Sequence, residues 1–279
     1  MKWIIAAFSL ILLPFTPYTA DFSPATEAVS YSQSSYSKAF ERLLELFDIP
    51  PSSSPQEIVE ATQRLWLQKG KERWEFEPRY ESLRPKLWPL FQQMGLLEKI
   101  EPRETHYDYA LVHGALLNRV QERVDYLNDL WKQGVRFDQI VFLSGARPLQ
   151  ESEKQIVRNL ATEREMVEWV YNHSDLPKEI PVLFIDAPMK QQDGIWVRPQ
   201  TSCTIIHWLM TKPESGSCLA ISNQPYAAYQ DAVFRNYLPP GFNLETVGPA
   251  AGSPSVAILL DTIAKELYTR TQNPRDLSH

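Results

Sequence analysis

Ile140-Val-Phe-Leu-Ser-Gly-Ala146 is a short apolar run that stops in a hydroxyl residue and a glycine. With no polar alternation, it fits a strand buried on both faces. Four other runs have the same form: Tyr109-Ala-Leu-Val-His-Gly-Ala115, Val182-Leu-Phe-Ile-Asp-Ala-Pro188, Cys218-Leu-Ala-Ile-Ser-Asn-Gln-Pro225 and Leu244-Glu-Thr-Val-Gly-Pro249. Segments of helical periodicity separate or follow them: Leu117 to Gln133, Thr162 to Asn172, Thr201 to Met210, Tyr226 to Tyr237 and Val256 to Thr271. This alternation predicts a three-layer, Rossmann-like α/β fold with a mainly parallel sheet and an N-terminal helical unit. Parallel strands deliver their carboxyl ends to one edge, so the residues that end the runs form the expected ligand site.

Upstream, residues 36–104 read as the helical unit. Phe40, Leu43, Leu44 and Phe47 make one stripe, and Ser54-Pro55-Gln56-Glu57 combines a capping serine, a first-turn proline and an acid at the third position. A third helix spans Glu81 to Met94, broken or bent at Pro85 and Pro89, and stops at Gly95. This unit, with Trp66, Trp74 and Trp88, either covers one end of the α/β domain or walls the ligand cleft. The α/β domain spans 105–272, with an irregular excursion from Met189 to Pro199 and a polar tail at 273–279.

Of the 279 residues 43% are hydrophobic, enough for one substantial core and an accessory unit. The net charge of -6 argues against nucleic-acid binding, which calls for a basic face. Lys2, the apolar stretch Trp3 to Leu13, the breakers Pro14 and Pro17 and a small residue at Ala20 read as a signal peptide over 1–20. The expected location is therefore periplasmic or secreted. An uncleaved N-terminal anchor that keeps the protein near a membrane is the alternative, because Tyr18 stands where cleavage prefers a small residue. Residues 21–35, rich in Ser, Thr, Pro and Ala, read as a flexible lead-in. Cys203 and Cys218 should lie at opposite ends of a helix–strand unit, too far apart for a disulfide.

Between Thr105 and Gly252 the chain resembles the YdcF-like family of bacterial proteins, which includes the SanA and ElyC envelope proteins. Ala110-Leu-Val-His-Gly-Ala115 with Arg119 is similar to that family's first strand, small-residue turn and arginine. Phe142-Leu-Ser-Gly145 resembles its second strand, Thr162-Glu163 with Met166 its acidic helix start, Gln200-Thr201 its Asn-Thr pair, and Ile221-Ser222-Asn223 its fourth strand end. The chain departs from the family at Tyr226 and Tyr229, where a His and an Arg are usual, and at Cys203 and Thr204, where a Glu and an Asn are usual. The resemblance implies a Rossmann-like domain, binding of nucleotide or S-adenosylmethionine, and an envelope role; it implies no particular reaction.

Arg119, Arg147 and Arg198 follow strand ends or precede a helix, a pattern suited to an anionic, phosphate-containing ligand. Each arginine could instead pair with an acid such as Glu151, Glu163 or Asp186. The expected ligand-binding set is Gly114, Arg119, Ser144, Gly145, Arg147, Arg198, Thr201, Ser222, Asn223, Gln224 and Tyr226. Ser144 and Ser222 have no adjacent activating base and read as hydrogen-bonding groups. Asp186, Glu163 and His113 are the candidate acid–base residues, with bland readings as a turn cap, a first-turn helix acid and a core histidine. No Gly-x-Gly-x-x-Gly, Walker or Gly-x-Ser-x-Gly motif occurs, and no histidine pair has metal-ligand spacing. Two readings follow: a small-molecule binding protein or enzyme of the envelope, or a non-catalytic interaction protein that kept the fold and lost the ancestral chemistry.

Overall fold

The strand that includes Ile140 to Gly145, β2 (Arg136–Gly145), pairs in parallel with β1 (His106–His113) on one side and β3 (Val182–Ala187) on the other. These strands come from a computed structural model that describes residues 37–272; the predicted signal peptide, lead-in and polar tail lie outside the described residues. β6 (Ser217–Ile221) pairs with β1, and β7 (Asn243–Val247) with β6, again in parallel. The order is β3-β2-β1-β6-β7. β4 (Lys190–Gln192) and β5 (Ile195–Val197) form a separate antiparallel hairpin.

Side chains alternate between two buried layers, which is why the runs are continuously apolar. Ala110, Val112, Ile140, Phe142, Leu219 and Ile221 join one core. That core is completed by α4 (Leu117–Lys132) and α6 (Glu163–Asn172). Leu111, Val141, Leu143, Cys218 and Ala220 face the opposite core, completed by α7 (Thr201–Met210) and α8 (Ala227–Tyr237).

A third core joins α1 (Lys38–Glu45), α2 (Pro55–Trp66) and α3 (Arg84–Gln93) to α9 (Val256–Thr271). The last helix therefore gives Leu259, Leu260 and Ile263 to the helical unit, not to the sheet. Polar contacts tie the same parts together: Gln63 Nε2 donates to Ala264 O at 2.7 Å, and Val256 N to Glu81 Oε1 at 2.7 Å. The helical unit is thus closed by residues about 200 positions downstream, which periodicity alone cannot assign.

Two further expectations need correction. The expected helix is indeed broken before Pro85, where a 3-10 turn (Glu81–Leu83) gives way to α3, but α3 runs through Pro89 without ending. Pro85 sits in the first turn, where a missing N–H costs nothing, and burial of Leu87 and Phe91 offsets the single bond lost at Pro89. The excursion after β3 is not irregular. Asp193 and Gly194 adopt φ of 51° and 80° and close the β4–β5 hairpin, as this dipeptide favours. Among the described residues no helix is long and apolar enough to cross a membrane.

Candidate functional site

The strand order reverses between β1 and β6, so the carboxyl ends His113-Gly114 and Ser222-Asn223 flank the topological switch point. Arg123 of α4 organises this point. It is buried, and its Nη1 donates to His113 O at 2.7 Å and Gly114 O at 3.0 Å, while Nε donates to Asn223 Oδ1 at 2.5 Å. Asn223 Nδ2 in turn donates to Glu122 Oε2 at 2.8 Å, which also receives Arg119 Nη1 at 2.8 Å. Burial and the nearby Arg73 charge push Arg123 down to about 10.

Glu163 opens α6 beside this cluster. Its neighbour Thr162 caps the helix by accepting from Glu165 N, and Glu163 N donates to Arg147 O at 2.8 Å. These bonds bring the Glu163 carboxyl against Gly114: a Cβ on that glycine would lie 2.8 Å from Glu163 Oε1. Only a residue without a side chain allows the approach. The Glu163 side chain is 11% exposed and lies 3.9 Å from Arg147 Nε. Among the described residues no hydrogen-bond donor reaches its oxygens. Burial pushes Glu163 up to about 7, against the opposing charges of Arg147 and Arg198.

Arg147 turns to another partner. Its Nη1 and Nη2 donate to the two oxygens of Glu153 at 2.9 and 3.1 Å, and Nη2 also donates to Ala115 O at 3.1 Å. Glu153 belongs to α5 (Glu151–Ile156), and its Oε1 also accepts Leu117 N at 3.0 Å. Burial opposes both charges, but their mutual bonds prevail, holding Arg147 above and Glu153 below their ordinary ranges.

Arg198 comes from the loop before α7. Pro199 packs on Gly145 so closely that a Cβ there would strike its ring. Arg198 is 52% exposed and its Nη2 contacts Glu72 Oε2 at 2.9 Å. Glu72 lies in a loop of the helical unit that Gln68 holds shut. Gln68 Nε2 donates to Glu77 O and Glu77 N donates to Gln68 Oε1, both at 2.9 Å. The same loop sets the Arg73 guanidinium 4.0 Å over the Tyr226 ring, a cation–π contact. Among the described residues Arg73 makes no ion pair. Its charge and that of Arg198 are both felt at Tyr229 of α8 and Lys265 of α9.

The remaining sequence candidates are distributed as follows. Ser144 Oγ donates to Ile185 O at 2.6 Å and is fully buried. Gln224 Nε2 donates to Gly95 O at 2.6 Å and Glu98 O at 3.1 Å, fastening the sheet edge to the helical unit. Ser222 is buried, with no partner for its Oγ among the described residues. Asp186 is exposed beside Ser144 in register, and Thr201 is half-buried at the start of α7. His113 lies in the core 4.8 Å from the Phe234 ring, its Nε2 without a partner among the described residues; burial and Arg123 hold it well below the usual histidine range. Cys203 and Cys218 are both free thiols, and burial pushes Cys218 up to about 12. A hollow of about 530 Å³ lined by Val59, Arg64, Leu67 and Tyr268 shares no residue with this cluster.

The structure thus sets Glu163 and Arg123 against Gly114, brings Arg198 within electrostatic range of Glu163 and Tyr226 within that of Arg123, and turns Arg147, Ser144, Asn223 and Gln224 to internal partners. It adds Arg73 and Arg123, which sequence reasoning missed. Arg123 had a legible signal: it interrupts the inward stripe of Val120, Val124 and Leu127. Arg73 lies in an aperiodic connection and carries none.

The five-stranded parallel sheet, covered by helices on both faces, defines an α/β protein of Rossmann-like architecture. No protein-family model, curated protein or solved structure matches the chain.

Proposed function

We propose that this protein binds an anionic, phosphate-containing small molecule at the carboxyl edge of its sheet, at the β1–β6 switch point. The observation that carries this reading is the gathering of arginines about one buried acid. Arg123 and Arg198 act on Glu163, and Arg73 lies close enough to Arg123 to lower it, with no carboxylate partner of its own among the described residues. Arg198 is half-exposed and, among the described residues, holds only Glu72, so an incoming anion can take the place of that carboxylate. The YdcF-like resemblance supports extending the ligand class to nucleotides and S-adenosylmethionine, and supports an envelope role.

Titration of the full chain with inorganic phosphate and with sulfate tests the site. A charge-assisted hydrogen bond contributes about 1.5–3 kcal/mol, so Arg73→Ala and Arg198→Ala should each weaken binding by about one to two decades. Glu72→Gln should strengthen it. Unchanged affinity in both folded arginine variants sinks the reading.

Export is part of the same proposal, supported by the apolar stretch from Trp3 to Leu13 and its proline stops. Residues 1–40 fused to a periplasmic reporter should give activity outside the cytoplasm; a reporter confined to the cytoplasm removes the assignment.

A second reading is a non-catalytic envelope interaction protein. The feature that favours it is the β4–β5 hairpin, which presents Ile195 and Trp196 to solvent, 69% and 65% exposed. Tyr226 and Tyr229 in place of the His and Arg usual in the resembling family point the same way.

A further inference from the structure

Glu163 poses a problem for an anion site. It is an acid pressed onto the backbone of Gly114, where the anion's arginines gather. Four charged side chains surround it: Arg123 from α4, Arg147 and Glu153 from the end of β2 and α5, and Arg198 from the loop before α7. The nearest cation, Arg147, gives its Nη1 and Nη2 donors to Glu153, Ala115 O and Pro148 O, and its Nε stays 3.9 Å from Glu163 Oε1, beyond hydrogen-bond reach. The Glu163 oxygens therefore receive no hydrogen bond from the described residues. An ionised carboxylate there would be poorly solvated, and it would repel an oxyanion held by Arg73 and Arg198.

A carboxylic acid at the same place does the opposite. It has an O–H to donate, and an oxyanion oxygen is an acceptor. We propose that Glu163 binds the incoming oxyanion as a carboxylic acid, donating its O–H to an anion oxygen, so that each anion bound takes up a proton from solvent. The proton comes from water or buffer and rests on a Glu163 oxygen; no other bond forms or breaks. The ligand class this selects is a tetrahedral oxyanion that is fully deprotonated where it meets Glu163, such as sulfate or the dianion of a phosphate monoester. The inference rests on the anion-site reading above and adds to it a specificity-determining residue and a proton linkage.

The test uses sulfate, which does not titrate near neutral pH, so any proton taken up belongs to the protein. Calorimetric titration of the full chain at pH 7.5, in two non-phosphate buffers of different ionisation enthalpy, gives the protons bound per sulfate. The expected result is roughly half a proton or more, with affinity falling toward tenfold per pH unit above neutrality. Glu163→Gln, which keeps the shape and a donor, should bind sulfate within about tenfold of the native protein at pH 7.5, with no proton uptake and little pH dependence. Sulfate binding by the native protein without proton uptake overturns the role of Glu163 and leaves the anion site standing. Equal uptake in Glu163→Gln does the same. If neither sulfate nor inorganic phosphate binds the native protein, the anion site falls and the role of Glu163 with it.

Discussion

Arg147→Ala is expected to lower the unfolding free energy by about 3–5 kcal/mol, because it leaves Glu153 charged and unpaired in a nearly dry site. Arg147 and Glu153 are 7% and 4% exposed and share two hydrogen bonds. Glu153 also accepts from Gln150 N and Leu117 N, so its carboxylate holds together α5, the start of α4 and the end of β2. The double variant Arg147→Met/Glu153→Leu should recover most of the loss, since two apolar side chains of similar volume need no partners. Urea unfolding followed by tryptophan fluorescence measures all three proteins. A loss below about 1 kcal/mol for the single variant would falsify the structural assignment and return Arg147 to the ligand.

The second large effect is a pH-dependent stability difference between the native protein and Glu163→Gln. Burial raises Glu163 to about 7 in the folded state from an ordinary 4.5. The folded protein therefore holds this proton more tightly than the unfolded chain does. The resulting stabilisation is fully present below about pH 4.5 and is lost as pH rises through about 7. A shift of this size corresponds to about 3 kcal/mol. An amide at this position carries no such linkage, so Glu163→Gln should gain on the native protein by about that amount between pH 4.5 and pH 8. Paired urea unfolding curves at several pH values give the gap. A gap that does not change with pH would mean that Glu163 is solvated as an ordinary surface acid. Comparing the two proteins at each pH cancels the opposite trend of groups held low in the fold, such as Glu153 and Asp108.

Much of the fold was legible because local chemistry and global architecture agree. Each of the five runs is a strand of the sheet, and the helices from Thr201 to Met210 and from Val256 to Thr271 match their periodic segments. Ser54-Pro55-Gln56-Glu57 forms the capping box its spacing suggests. The hairpin at Asp193-Gly194 reads as irregular in the sequence, because its strands, of three residues each, are too short to give a period. The site was less legible. A strand end names a place, but not whether a side chain there meets a ligand or another side chain. Ser144, Asn223 and Gln224 all stand at strand ends, and all are engaged by carbonyls, an arginine or an acid elsewhere in the chain.

By itself, the sequence determined the parallel strands, the edge at which they end and the small residues that clear that edge. Those features depend on side-chain period, β-branching and the special backbone freedom of glycine, all of which act within a few residues. Tertiary structure alone decided that Arg147 would pair with Glu153 and that Arg73 would reach Tyr226 from a distant part of the chain. It also decided that α9 would complete the helical unit and that Glu163 would lie against Gly114. Charge pairing and desolvation act through space at a few ångströms, with no periodicity along the chain, so they become visible only once the chain has folded.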